Sequence, residues 1–410
     1  MNIRVLTAAS LALLFASATH AANCVIVVVG GAQTSPAPKS KEPRDIATDV
    51  IMHTFRQAKR TDCEVVSGTN QTPGEFESML ARAAKLRKDD KTQFHFTFTD
   101  HGTQNFIYLK ESVFYPYAKF EEVLRANFPK GTNLSYSSSN CYGDLSNFVL
   151  NRDVDEHFNI CGGESTFPGR LSLNLRAYKE SFGKVTGAYT AGMIHALEKG
   201  ESLSQGHQSA MRGDAGNLSR VPGLLTSQAL VYKELLKSGY LTRDDLPSTA
   251  PDLLNFWAKT AKGSRFPLIA GLQNIFERQM QASDCGEVCY YSQMLNLAPL
   301  EAAQQIPIDI ELAQYRRVLP PARFLELKAS VDWLLRHRKR YADKLSGNLE
   351  RATKAQANAA TFDAMENPDF YFHLNRVMSA PALKLFMEKA KPEVRARYNR
   401  FVRCEAGARF

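Results

Sequence analysis

A histidine and a cysteine stand forty positions apart, each at the end of a stretch that reads as a β-strand. His101 follows TQFHFTFT, an alternating aromatic run from Thr92 to Thr99, and Cys141 follows NLSYSSS, from Asn133 to Ser139. The interval leaves room for one hairpin and one crossover helix, so the two strands can be parallel neighbours ~4.8 Å apart. In an open parallel sheet, ligands sit beyond the carboxyl ends of the strands. A thiolate and an imidazole launched from adjacent ends can share one substrate carbonyl, the sulfur attacking and the ring giving a proton to the leaving amine. Gly102 follows the histidine and Gly143 comes soon after the cysteine. Glycine admits close backbone approach, and the N–H groups of Gly102 and Cys141 can face a developing oxyanion. Alone, such a cysteine is an ordinary small hydrophobe and such a histidine an ordinary surface residue. It is the pairing at matching strand ends that points to chemistry.

Strands alternate with helices in the segments that must position this pair. Residues 24–31, CVIVVVGG, form a continuous apolar run of the kind buried on both faces. Asp45 can cap the amphipathic stretch IATDVIMHTFRQAKR, Glu64 to Ser67 reads as a second strand, and Thr72-Pro73-Gly74-Glu75 opens a helix through about Lys88. Phe106 to Tyr115 suggests a hairpin and Tyr117 to Phe128 a helix. Phe158 to Cys161 is a short strand, and helices are expected over Val185 to Glu198 and about Ser202 to Met211. This alternation argues a mostly parallel α/β sheet with helices on both faces. From about Tyr240 strand signals stop and helical apolar spacing takes over, as in ASVDWLLRHRKRYADKL. The expected organisation is a signal peptide over 1–21, an α/β domain over 22–238 and an all-α domain over 239–410.

The first residues, MNIRVLTAASLALLFASATHAANC, read as an export signal. Arg4 precedes an apolar run too short to span a bilayer, and Thr19-His20-Ala21 offers small residues for cleavage after Ala21, with Ala22 the next choice. The chain is therefore expected to be secreted or periplasmic, in a bacterium, and not transmembrane. Seven cysteines in an oxidising compartment leave at least one unpaired. Cys24 and Cys63 each stand just before a β-branched run, and two parallel neighbouring strands would bring them within bridging distance. Cys285 and Cys289 frame a tight loop and can bridge locally. Cys161 and Cys404 cannot be paired from sequence.

Composition excludes disorder and fibrous repeats: 44% hydrophobic and 23% charged residues are ordinary globular values. The net charge of +9 is placed unevenly. Residues 311–410 carry 20 Lys and Arg against 11 Asp and Glu, and the first 310 residues balance at 31 of each. The tail is thus a basic helical surface, either merely solvated or able to meet an anionic surface. No nucleic-acid partner is expected, and Arg336-His337-Arg338-Lys339-Arg340 reads as a solvated helix face. No HExxH or paired CxxC supplies a metal site, no GxGxxG or Walker loop cradles a phosphate, and no GxSxG supports a serine hydrolase. No cofactor is expected.

The segment FHFTFTDHGTQ resembles the third strand and catalytic histidine of the legumain family, and Cys141-Tyr142-Gly143 resembles the nucleophile turn of the wider caspase-like group. The His-to-Cys spacing is also similar to that of legumains, and GAYTAGMIHALEKG resembles the helix after the fifth strand of that fold. The resemblance covers roughly residues 24–235. It implies a caspase-like three-layer sandwich and a cysteine endopeptidase acting on protein or peptide substrates. In that reading Cys141 is the nucleophile, His101 the general acid and Gly102 an oxyanion donor. Arg44 would line the pocket for the substrate residue before the cleaved bond, Glu42 would steer His101, and Glu164, in the loop after the fifth strand, is a further pocket candidate. The chain departs from the family pattern at Asn140 and in its serine-rich strand. The helical C-terminal prodomain of legumains further implies that this helical tail regulates access to the site. Two other readings stay open: a binding protein that kept the fold without catalysis, and a transpeptidase in which an amine resolves the acyl-enzyme.

Overall fold

The computed structural model describes residues 24–30, 63–99, 102–110, 113–168, 188–213, 223–241, 305–337 and 368–408. Five parallel strands form the central sheet: β1 (Cys24–Gly30), β2 (Glu64–Thr69), β3 (Gln93–Thr99), β7 (Asn133–Ser138) and β8 (Asn159–Glu164), in the order β2-β1-β3-β7-β8. Between β3 and β7 a small antiparallel sheet is built from β4 (Gly102–Thr103), β5 (Phe106–Lys110) and β6 (Val113–Pro116). The helices are α1 (Pro73–Lys85), α2 (Tyr117–Asn127), α3 (Leu145–Asn151), α4 (Ala188–Glu198), α5 (Leu203–Gly213) and α6 (Thr226–Lys237), then α7 (Gln305–Val318), α8 (321–337), α9 (Pro368–Lys389) and α10 (Pro392–Gly407). The fold is α/β, a sandwich of helices around a parallel sheet, followed by a helical region. The helix expected over Asp45 to Arg60 lies outside the described residues.

The pleat sorts the two faces. Val25, Val27 and Val29 lie level with Phe94, Phe96 and Phe98, and Leu134 and Tyr136 continue the same face. These side chains are buried with Phe76, Phe120 and Phe128 of the α1–α2 layer. Edge-to-face contacts such as Phe94–Phe128, at 4.9 Å between centroids, order that layer. On the opposite face Ile26 and Val28 pack with Ile194 of α4. That face turns polar at β3 and β7, where His95 sits level with Ser135. The fully buried imidazole is 3.0 Å from the hydroxyls of both Ser135 and Ser137. The serine-rich strand thereby satisfies a histidine that burial pushes down to about 3, so the ring is neutral at physiological pH. The helix start at Thr72 is capped as its sequence dictates: the Thr72 hydroxyl accepts from the Glu75 N–H, and the Glu75 carboxylate accepts from the Thr72 N–H at 2.7 Å.

Cys24 and Cys63 form a disulfide, with Cα atoms 4.8 Å apart, because β1 and β2 run parallel from those residues. A second disulfide, Cys161–Cys404, joins β8 to α10 across 243 residues. Cys285 and Cys289 lie outside the described residues. The helical region is not set apart from the sheet: Val331, Val377, Phe386 and Tyr398 share one continuous apolar cluster with the residues of β3, β7 and β8. Buried charge reinforces that joint. Glu405 of α10 accepts the backbone N–H of Ser227 at 2.8 Å and its hydroxyl at 2.7 Å, and pairs with Arg323 of α8. Burial opposes the charge on Arg323, but Glu326 and Glu405 outweigh it and hold its pKa above the ordinary range. Arg397 of α10 forks onto Asp155 and Asp153, at the mouth of β8. Among the described residues no helix is long and apolar enough to cross a membrane.

Candidate active site

The ends of β3 and β7 are neighbours in the sheet, paired in parallel from Gln93–Asn133 to Phe98–Ser138. Ser139 continues the pairing by donating its N–H to the Phe98 carbonyl at 3.0 Å. The chain then makes a single 3₁₀ turn, Cys141–Gly143, before entering α3. Two residues of that turn carry positive φ, Tyr142 at 73° and Gly143 at 51°. A left-handed tyrosine next to a cysteine is a strained backbone that its surroundings must hold. Gly143 admits no side chain, since a Cβ there would lie 2.5 Å from the Thr166 carbonyl oxygen. The turn is therefore pressed against the chain that leaves β8.

On the other side of the site, β3 ends at Thr99 and β4 begins at Gly102, which pairs with Ile107. The hairpin rises beside the cysteine turn, and one carboxylate ties the two together. Asp144 Oδ2 accepts the backbone N–H of Asn105, at the tip of the β4–β5 turn, at 2.5 Å. Its Oδ1 accepts from the Asn147 amide at 3.0 Å. Burial raises the Asp144 carboxyl above its ordinary range, although both hydrogen bonds work the other way. Asn105 itself takes φ of 68°, so the N–H offered to Asp144 comes from a left-handed turn.

Glu164, expected in the loop after its strand, is instead the last residue of β8 and is fully buried. Its Oε1 accepts the N–H of Leu145 at 2.7 Å and of Ser146 at 3.2 Å, the first free donors of α3. Its Oε2 has no partner among the described residues. Burial pushes this carboxyl up to about 8, so it is largely protonated at neutral pH and serves the helix start as a neutral acceptor. Tyr136 completes the floor, with its hydroxyl 2.9 Å from Ser146 and 2.8 Å from Thr226. Gly162 makes room for that ring, because a Cβ there would fall 2.3 Å from it.

Of the residues singled out in the sequence, the structure brings the Cys141 turn, Gly102 and Glu164 into one region at the carboxyl end of the sheet. His101, Arg44 and Glu42 lie outside the described residues, and Cys141 is placed here by its backbone. Asp144 escaped the sequence reading. Its signal was an acidic residue directly after Cys-Tyr-Gly, where it can face both the turn and the next helix. The hairpin also shows an aromatic cluster at the surface, Phe106, Tyr108 and Phe114, with Phe106 and Phe114 exposed and 6.1 Å apart. No group of histidine, cysteine and acidic side chains able to hold a metal ion occurs among the described residues.

No protein-family model matches the chain, and no curated protein matches it. Among solved structures it is similar to caspase-1 from Spodoptera frugiperda, with 12% identity and a TM-score of 0.34, over 50% of this chain and 86% of that one. That likeness concerns the fold and assigns no activity, so the reading of the site rests on the chain's own geometry.

Proposed function

We propose that this chain is an exported cysteine endopeptidase, with residues 1–21 as its signal, 22–238 as its peptidase domain and 239–410 as a helical part built onto it. The observation that carries the reading is the hydrogen bond from Asn105 to Asp144, which joins the cysteine turn to the hairpin that starts at Gly102. It supports a site in which residues from two neighbouring strand ends act on one bond. Cys141, as thiolate, attacks the scissile carbonyl carbon, and the carbonyl π electrons move onto oxygen. The N–H groups of Gly102 and Cys141 are assigned to that oxyanion. Its collapse breaks the C–N bond while protonated His101 gives its proton to the departing amine, leaving a thioester. Water then adds to the thioester with His101 taking its proton, and the acid product and Cys141 are released.

Arg44 and Glu42 are assigned to substrate recognition and to steering His101. Glu164 is assigned to holding the cysteine turn from below. The proposed substrate is a protein or peptide, and the proposed compartment is the periplasm or the outside of a bacterium. Two disulfides accord with that placement.

Labelling with a set of peptidyl acyloxymethyl ketones of varied terminal residue tests the reading. A covalent adduct on Cys141, absent in Cys141→Ala and reduced in His101→Ala, is the expected result. Absence of any adduct on the folded chain under mild reduction would replace the enzyme with a binding protein of the same fold. Adding a free amine and weighing the products separates hydrolysis from peptide ligation.

A further inference from the structure

The hairpin beside the cysteine turn has two unlike faces. Ile107, Leu109 and Tyr115 are buried in the main core. Phe106, Tyr108 and Phe114 alternate with them and make the outer face. Tyr108 stands directly across from Phe114, with ring centroids 5.6 Å apart, and Phe106 lies diagonal to Phe114 at 6.1 Å. An antiparallel sheet with one face on the core ordinarily turns polar residues outward. Here Phe106 is 38% exposed and Phe114 47%. The other exposed large apolar side chains among the described residues, Tyr240, Ile310 and Leu325, stand on or beside three different helices.

A cross-strand ring pair also steadies a hairpin. This hairpin, however, is held from its inner side. Tyr115 meets Phe76 of α1 edge-to-face at 5.0 Å, and its hydroxyl donates to Glu77 at 2.8 Å. The outer rings are therefore a fixed apolar platform open to solvent, and clustered surface rings of this kind mark contact sites. The platform begins at the cysteine turn: Phe106 adjoins Asn105, whose N–H is held by Asp144, three residues after Cys141.

The assigned roles give this placement a direction. His101, assigned to protonate the leaving amine, directly precedes the hairpin. The part of the substrate that carries that amine is therefore placed on the hairpin's side. The turn from Cys141 to Asp144 and one hydrogen bond separate the nucleophile from the platform, and an extended chain covers about 3.3 Å per residue. The second to fourth residues after the cut bond are the ones that reach it.

We infer that Phe106, Tyr108 and Phe114 determine specificity by seating an aromatic or large aliphatic side chain of the substrate, two to four residues after the cleaved bond. The inference rests on the peptidase reading and narrows its substrates to chains that are apolar at that place.

The test takes the acyl-side sequence of the ketone probe that labels Cys141 fastest and joins it to a polar tail of Gly, Ser and Gln. A single tryptophan is moved through the first five positions of the tail. Wild type is expected to cleave the best peptide, with tryptophan at the second to fourth position, with a kcat/KM about tenfold above that for the all-polar tail. The gain should lie in KM, because the contact is made equally before and in the transition state. The same order of dissociation constants is expected for intact peptides on Cys141→Ala by fluorescence anisotropy. Phe106→Thr combined with Phe114→Thr keeps strand-forming side chains and should erase the tryptophan preference. Cleavage of the all-polar peptide should then be unchanged. So should labelling by a peptidyl acetoxymethyl ketone, which carries only acetate on the leaving side. A flat profile from a wild type that is labelled and cleaves, or a profile that persists in the double variant, would overturn the inference and leave the peptidase standing. A wild type that is neither labelled nor active overturns the peptidase reading and this inference with it. The wild-type profile alone decides should the double variant not fold.

Discussion

Asp144 and Asn105 lie thirty-nine residues apart in sequence and 2.5 Å apart in space, a carboxylate oxygen against a backbone N–H. Through that bond the strained turn at Tyr142 is fixed to the hairpin that carries Gly102. The hairpin is held by its own backbone pairing, Gly102 with Ile107, and this side chain ties it to the cysteine turn.

Replacing Asp144 by Ala should therefore leave the fold intact and loosen the two loops against each other. Labelling of Cys141 by the ketone probe is expected to slow by roughly a hundredfold, the scale of an ångström-sized misplacement. Asp144→Asn keeps an acceptor for Asn105 and should recover most of that rate. Equal rates in wild type and Asp144→Ala, at unchanged melting temperature, would show that the bond does not position the site.

Glu164 makes a pH prediction. Its carboxyl titrates near 4.5 in an unfolded chain and is raised by burial to about 8 in the folded one. Between those values the folded chain keeps a proton that the unfolded chain gives up. The stability from this group is thus complete below about pH 4.5 and is lost as pH rises through about 8. Asp144 adds to the rise. Glu164→Gln retains an acceptor for Leu145 and Ser146 and is expected to flatten the decline in denaturation midpoint across this window. Glu164→Leu removes the acceptor and should cost roughly 1–3 kcal/mol for each buried N–H left unpaired.

The Cys161–Cys404 bridge closes a loop of 243 residues. Changing both cysteines to serine should lower stability by roughly 2–5 kcal/mol, read by urea denaturation with and without reductant. A midpoint insensitive to both would mean that the packing of α10 alone carries the joint.

Arg323 and Glu405 provide a sharper test of how the helical region is held. Glu405→Leu leaves Arg323 paired with Glu326 at 2.9 Å but removes the acceptor of the Ser227 N–H, and is expected to cost roughly 1–3 kcal/mol. Arg323→Met combined with Glu405→Leu should cost less than the sum of the two single changes, because the buried Glu405 that Arg323→Met alone would leave without its cation is then absent. Ending the chain at Gly239 removes α10 together with Cys404 and Glu405. It is expected to give aggregated protein rather than a freed peptidase core, as solubility after expression would show.

Much of the sheet was legible in the sequence. CVIVVVG reads as a strand buried on both faces because every side chain in it is apolar, and TQFHFTFT because its aromatics alternate. The Thr72 capping box announced α1. The parallel course of the first two strands made Cys24–Cys63 an expected bridge, since each cysteine stands just before its β-branched run.

Sequence alone thus determined the α/β class, the helical tail and the pairing of the strands that end before His101 and Cys141, all of which follow from local periodicity and from chain length between elements. Tertiary structure alone decided what no local pattern encodes. It placed Asp144 against Asn105, buried Glu164 beneath α3, and paired His95 with Ser135 and Ser137 across two strands. It also joined Cys161 to Cys404 and Arg323 to Glu405, so that α10 became part of the sheet's own core. The reason is the same in each case. Periodicity tells which face of an element is apolar, but the partner of a polar group depends on which distant element reaches it first.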